Sequence, residues 1–436
     1  MPTNNRIHTL VFSLLLCSFL AVLMEEDADA QPKGYLYDED RVPKFKLPDP
    51  LTFEDGSKIT AKSQWAKRRA EIFSIFESKV YGRSPKGEFK VSGGKIVSKK
   101  VLDGAAVMEQ IPVRLTPNGP EVDVLIFRPS DKKDVPAFMA LNFMGNHTVF
   151  ADPTIRVTKS WVRNSGGLGA TNNRASEKGR GKQSSRWSIK RIIESGFGLV
   201  TIYYGDIDPD FDDGFQNGIH AALNSQGNST SRNSDKPKPD EWGSIAGWAF
   251  GLSRVLDFLE KHDGIDAKQV FVMGHSRLGK TSLWAGATDP RYAGVISNNS
   301  GCGGAALSKR AFGETVKRIN TSFPHWFCDN FLQYNDNEKN LPVDQHMLIA
   351  LSAPTPVYVA SASKDLWADP RGEFLSIKHA SPVFELLTGQ GLKIDSFPAA
   401  NKPSIGVLSY HLREGKHDVT DFDWENYIKF ARQYTR

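Results

Sequence analysis

From Val122 onward, short apolar runs alternate with longer segments whose apolar residues recur at helical spacing, and this rhythm restricts the fold more than any other feature of the chain. Strands are expected at 122–127, 137–143, 199–204, 270–273, 295–297 and 357–360, and helices at 65–80, 188–195, 242–261, 278–288 and 372–387. The strand runs are apolar throughout rather than alternating, as in parallel strands covered on both faces. The pattern therefore predicts an α/β protein: a doubly wound, mostly parallel sheet in a three-layer sandwich.

Two stretches stand outside the rhythm. Residues 31–60 are rich in Pro, Lys and Asp with little periodicity, and are expected to form an extended arm on the surface of a single domain spanning 31–436. Residues 145–186 are rich in Gly, Ser, Asn and Arg and read as a loop insertion, better suited to a flexible surface segment than to a binding role, although it could rim a cleft.

Residues 1–30 have the layout of an export signal. Arg6 lies in a short polar start, an apolar run covers 10–24, and Ala28-Asp29-Ala30 offers a small-x-small cleavage site. The run falls short of the ~20 residues needed to span a bilayer, and Glu25, Glu26 and Asp27 follow it at once. The expected product is an exported protein, periplasmic or secreted, with no membrane attachment after cleavage. Cleavage removes one basic and four acidic residues, so the net charge rises from +5 to +8. That excess suits an acidic polysaccharide; it lacks the clustered basicity of a nucleic-acid binder. Cys302 and Cys328 remain and could pair in an oxidising compartment; no CxxC or HxxxH spacing accompanies them, so no metal is expected.

The eight residues Gly274 to Thr281, GHSRLGKT, admit two chemistries. As GxxxxGK[ST] they would cradle nucleotide phosphates on backbone N–H groups. That reading needs a neighbouring strand ending in an acidic residue to hold magnesium, and the next strand runs instead into Ser297, Asn298 and Asn299. An exported protein also meets little nucleotide. As a strand-to-helix turn, the same residues present Ser276 as a nucleophile held clear of its own backbone.

A serine hydroxyl needs a base to remove its proton and an acid to hold that base, and in α/β-hydrolases these follow in the order Ser, acid, His. His417, in the polar turn REGKHDVTDFDW before a terminal helix, is the expected base and His411 its rival; His325, His346 and His379 read as packing or surface residues. Asp365 follows the 357–360 strand and is the expected acid. Asp369 is the runner-up, and Asp418, Asp421 and Asp423 more naturally cap the final helix.

The run GHSRLGK resembles the GCSRxGK signature of glucuronoyl esterases, carbohydrate esterase family 15. NNSGCGGAALSKR, FPHWF, DLWADP and GKHD resemble bacterial members in the same order, over roughly residues 120–430. The resemblance implies an α/β-hydrolase fold with Ser276 as nucleophile, His417 as base and Arg277 as oxyanion donor. Lys280, Glu314 and Trp367 match positions that contact a uronic acid sugar. Fungal members carry the acid as Glu in ESG, where this chain has Asn299; an amide cannot stabilise an imidazolium by charge, so the acid is expected at Asp365. The implied reaction is hydrolysis of the ester between 4-O-methyl-glucuronate of glucuronoxylan and a lignin alcohol, by a monomer without cofactor. Removal of acetyl from xylan, or a non-catalytic carbohydrate-binding role, are the alternatives.

Overall fold

The computed structural model describes residues 31–224 and 238–435. The expected export signal lies outside the described residues. The strands are β1 (Ser92–Gly93), β2 (Val97–Val101), β3 (Ala106–Arg114), β4 (Glu121–Pro129), β5 (Val135–Asn142), β6 (Ala170–Thr171), β7 (Arg174–Ala175), β8 (Gly198–Tyr203), β9 (Ile265–His275), β10 (Gly294–Asn298), β11 (Val357–Ala362) and β12 (Leu408–Arg413). The helices are α1 (Trp65–Lys79), α2 (Ile189–Glu194), α3 (Tyr204–Ile207), α4 (Gly218–Asn224), α5 (Ser244–Leu259), α6 (Arg277–Thr288), α7 (Val316–Ser322), α8 (Gln345–Leu351), α9 (Pro370–Thr388) and α10 (Asp421–Ala431).

The main sheet runs β1-β3-β4-β8-β5-β9-β10-β11-β12, with β2 also on β3. Every pair from β8 through β12 is parallel, and β1 to β4 form an antiparallel edge ending on β8. One face packs on α1, α5, α6, α8 and α9, whose Ile72, Trp248, Leu283, Met347 and Phe384 are buried in one core. The other face packs on α2 and α10 through Ile192, Trp424 and Phe430 in a second core. This is the three-layer α/β-hydrolase arrangement. Among the described residues no helix is long and apolar enough to cross a membrane.

Among the strands of the main sheet, β12 and β1 to β3 are those that the apolar rhythm did not predict. β2, VSKKV, is exposed at four of its five positions, as an edge strand can be. β12 buries Ser409, His411 and Arg413, polar residues that break an apolar run, and the interior accepts them because each has a partner.

Parallel register aligns the strand ends that matter. His275 pairs with Asn298, Asn298 with Ala360, and Ala360 with His411, so the loops leaving β9 to β12 emerge along one edge. In open α/β sheets this carboxyl edge is where ligands bind. Residues 145–186, which cover part of it, are tied down. Gly181 and Gln183 donate backbone N–H to the carbonyls of His147 and Thr148, and Arg180 donates to those of Asp152 and Ile155. Cys302 and Cys328 are buried free thiols.

Candidate active site

Ser276 stands between β9 and α6 with φ 56° and ψ −128°, a conformation that costs a non-glycine residue of the order of 1–3 kcal/mol. Two glycines make the turn possible. A Cβ on Gly274 would lie 1.8 Å from the carbonyl oxygen of Leu278, and one on Gly279 would lie 2.9 Å from the Cβ of Ser300. The close approach that a GxSxG elbow gains from its second glycine is supplied here one position later, which explains how Leu278 is accommodated.

Ser276 and His417 line one cavity of about 240 Å³, together with Arg277, Lys280, Glu314 and Trp367. Asp365 lies behind it, 6% exposed, with Oδ2 2.5 Å from Nδ1 of His417. A carboxylate only accepts, so the proton sits on Nδ1 and Nε2 is left as a base. A groove of about 890 Å³ at the opposite end of the sheet, around His262 and Arg291, contains no such pairing with a serine.

The loops carrying Asp365 and His417 are fastened together. Ser363 N–H donates to Arg413 C=O (2.8 Å) and Lys364 N–H to Gly415 C=O (2.9 Å). The Arg413 guanidinium donates to the carbonyls of Glu414, Lys416 and Asp418 at 2.7 to 3.1 Å, and is ion-paired with Asp423 at 2.9 Å. His411, the rival base, lies inside β12 and is fully occupied by Tyr358 and Asp423. Asp369, the runner-up acid, pairs with Arg310 and caps α9. Asp423 caps α10 by accepting from Thr420.

Asn299 donates Nδ2–H to the same Asp365 oxygen at 2.8 Å. The Asn299 amide thus supports the carboxylate that holds His417. His275, whose ring centroid lies 4.4 Å from that of His417, is held well below the usual histidine range by burial and by the neighbouring His417, so it packs as a neutral ring.

The cationic side of the cavity is organised by Asp210, which the sequence did not single out. Arg277 pairs with it through Nη1, and His325, Trp326 Nε1–H and Tyr204 O–H contact it at 3.0, 2.7 and 2.8 Å. Burial alone would raise the Asp210 carboxyl, but Arg277, His325 and Trp326 together hold it well below the usual range. His325, expected as a packing or surface residue, therefore has a polar role at a sequence separation no local pattern reveals. The guanidinium lies 4.7 Å from the Trp326 ring and 5.2 Å from that of Phe323, and its Nε–H has no acceptor among the described residues. In the loop after Phe143, which borders this side of the sheet edge, the Gly145 N–H is committed to Asn142 Oδ1. Lys280 is 3% exposed; its amine donates to Ser300 C=O at 2.5 Å and lies 3.6 Å from Glu314.

Known proteins share this fold. A solved CE15 esterase from a marine bacterial metagenome, described as promiscuous, is 50% identical with a TM-score of 0.85, covering 92% of this chain and all of that one. Carbohydrate esterase MZ0003, from an unknown prokaryotic organism, is 49% identical over 97% of both chains. The chain belongs to carbohydrate esterase family 15. It is a carboxylic ester hydrolase. A glucuronoyl esterase from Solibacter usitatus is 41% identical with a TM-score of 0.84, over 91% of this chain and all of that one. The family model described as glucuronyl esterase, fungi, matches residues 224–388.

One further acid lies beneath the site of this family 15 esterase. Glu373 is fully buried; it accepts from the N–H groups of Ser300 and Gly301 and from Ser361 O–H, which fixes the turn after Asn299. Burial pushes its carboxyl up to about 8, with the charge of Asp365 adding to the rise. The folded form thus keeps a proton that the unfolded chain loses near 4.5. The resulting stabilisation is complete below that pH and fades as pH climbs towards about 8. Urea midpoints of the wild type should therefore fall relative to those of Glu373→Gln between about pH 5 and about pH 8. A constant difference across that window would mean that Glu373 is already ionised when folded.

Proposed function

We propose that this esterase cleaves the bond between the carboxyl group of 4-O-methyl-D-glucuronic acid on glucuronoxylan and a lignin alcohol, through an acyl-enzyme on Ser276. The observation carrying this reading is that Lys280, Glu314 and Trp367 share one cavity with Ser276 and His417. An amine, a carboxylate and an aromatic face can bind hydroxyls and the plane of a sugar ring, and they sit beside the nucleophile that would attack its C6 carbonyl.

In the proposed cycle, His417 takes the Ser276 proton through Nε2 while Asp365 holds Nδ1–H and stabilises the imidazolium. Arg277 meets the developing oxyanion; a charged donor in a partly desolvated site is worth at least what a neutral one gives, about 3–4 kcal/mol. His417 then protonates the departing alcohol, and water attacks the acyl-enzyme by the reverse proton path. Catalysis occurs in one domain spanning 31–436, acting as a monomer without cofactor, exported to the periplasm or medium after loss of residues 1–30. The positive charge of the processed chain suits an anionic product.

A second reading, cleavage of acetyl groups from xylan, is favoured by the described promiscuity of the metagenomic relative. Methanol release from methyl 4-O-methyl-glucuronate and acetate release from acetylated xylan separate the two. The uronate ester is expected to have the higher kcat/KM; a preference for acetylxylan would overturn the uronate assignment and leave the esterase.

A further inference from the structure

Neither of the loops that present Glu314 and Trp367 is part of a strand or long helix. Residues 310–314 and 366–369 cross at one point, where Glu314 N–H donates to Trp367 C=O at 3.0 Å. Gly313, at φ 62°, makes that crossing possible, because a Cβ there would lie 2.5 Å from the carbonyl oxygen of Trp367. Two loops joined by so few bonds need an outside support, and the N-terminal arm reaches both.

The Tyr35 ring stands edge-on to Trp367, with centroids 4.9 Å apart and planes at 90°. Leu36 C=O accepts the N–H of Gly313 at 2.8 Å. Tyr37 meets Phe312 edge-on at 6.1 Å. Glu39 then pairs with Arg310 at 2.7 Å, and Arg310 with Asp369 at 2.8 Å, which ties one loop to the other through a guanidinium that is only 4% exposed. Four of the five positions 35–39 thus contact Trp367 or residues of the loop that carries Glu314.

We infer that residues 35–39 are a working part of the site, positioning Trp367 and Glu314 for the uronate ring. Tyr35 is the positioning residue for Trp367, and the Leu36 carbonyl with Glu39 fixes the register of the 310–314 loop. This rests on the roles proposed above for Trp367 and Glu314. The arm touches neither Ser276 nor His417, so its loss should weaken sugar binding and spare the hydrolytic step itself.

The test compares two substrates across Tyr35→Ala, Tyr35→Phe and a full-length variant lacking only residues 31–40. Methyl 4-O-methyl-glucuronate uses the sugar-facing wall, whereas 4-nitrophenyl acetate does not. Tyr35→Ala should raise KM for the glucuronate about three- to tenfold, the range an aromatic edge contact supplies, with Tyr35→Phe close to wild type. The deletion should raise it further, and kcat/KM for 4-nitrophenyl acetate should stay within about twofold throughout, because no transition-state contact to that ester is lost. An unchanged glucuronate KM in Tyr35→Ala and the deletion, or a parallel fall for both substrates, would overturn the inference. Trp367→Ala serves as the reference: if it leaves the glucuronate KM unchanged, the failure lies in the sugar-binding role of Trp367 and not in its support.

Discussion

Asp365→Asn is expected to lower kcat for glucuronate esters about 10⁴-fold, the scale seen when a triad acid becomes an amide, with little change in KM or thermal midpoint. The reasons are the tautomer and the lost charge. Oδ2 of Asp365 accepts from both His417 Nδ1 and Asn299 Nδ2. In the variant, an amide group turned towards His417 would donate to Nδ1 and force the ring proton onto Nε2, the nitrogen that must receive the proton of Ser276. That orientation would also set its NH₂ against the Asn299 amide, donor against donor; turned the other way, its carbonyl oxygen would still accept from both His417 Nδ1 and Asn299 Nδ2. Both arrangements also lack the negative charge that steadies an imidazolium. Because β10 and the Asn299 that follows it carry no acid, no carboxylate on that strand can substitute. Steady-state kinetics with circular dichroism as the folding control decides the matter, and a loss below about tenfold would remove Asp365 from the proton path.

The parts of this site that the sequence reveals are those governed by chain order and local geometry. Gly274, Ser276 and Gly279 disclose a strand-to-helix turn because its sterics act within a few residues. Asp365 and His417 are expected as acid and base from the rule that both leave later strands than the nucleophile, and their side chains lie in hydrogen-bond contact. The central strands β5, β8, β10 and β11 are visible as apolar runs because helices cover both their faces. β12 is hidden by its own interior polarity, since His411 and Arg413 look like surface residues until Asp423 and the carbonyls of the following loop are seen around them. Asp210 is the clearest illegible residue. It sits in DIDPDFDD, which reads as a solvated acidic run, yet it is fully buried. Its partners Arg277, His325 and Trp326 are separated from it by 67, 115 and 116 positions. The support that Tyr35 gives Trp367 is hidden for the same reason. Periodicity reports what a residue does for its own element, not which distant charge it will neutralise.

That buried charge gives Arg277 a role as counter-ion beside the oxyanion contact proposed for it. Arg277→Ala is expected to lower kcat about 10²- to 10³-fold through loss of the oxyanion donor. It should also cost up to about 3–5 kcal/mol of stability, because Asp210, 0% exposed, loses the more buried of its two guanidinium partners and keeps only the half-exposed Arg163 at 3.3 Å. His325, Trp326 and Tyr204 still donate to Asp210, so the loss is not complete unfolding. The added change Asp210→Asn removes the stranded charge, and the double variant Arg277→Ala/Asp210→Asn should regain much of the stability and none of the activity. Arg277→Lys tests the same point from the other side. A lysine can still neutralise Asp210, but its single ammonium cannot hold that carboxylate and reach the oxyanion with the fixed fork of a guanidinium. It should therefore keep most of the stability and lose most of the rate. Urea midpoints and kcat on methyl glucuronate, measured on the same preparations, resolve the two effects. If the double variant recovers activity along with stability, Arg277 acts only as the counter-ion of Asp210, and the oxyanion must be met by backbone N–H groups instead.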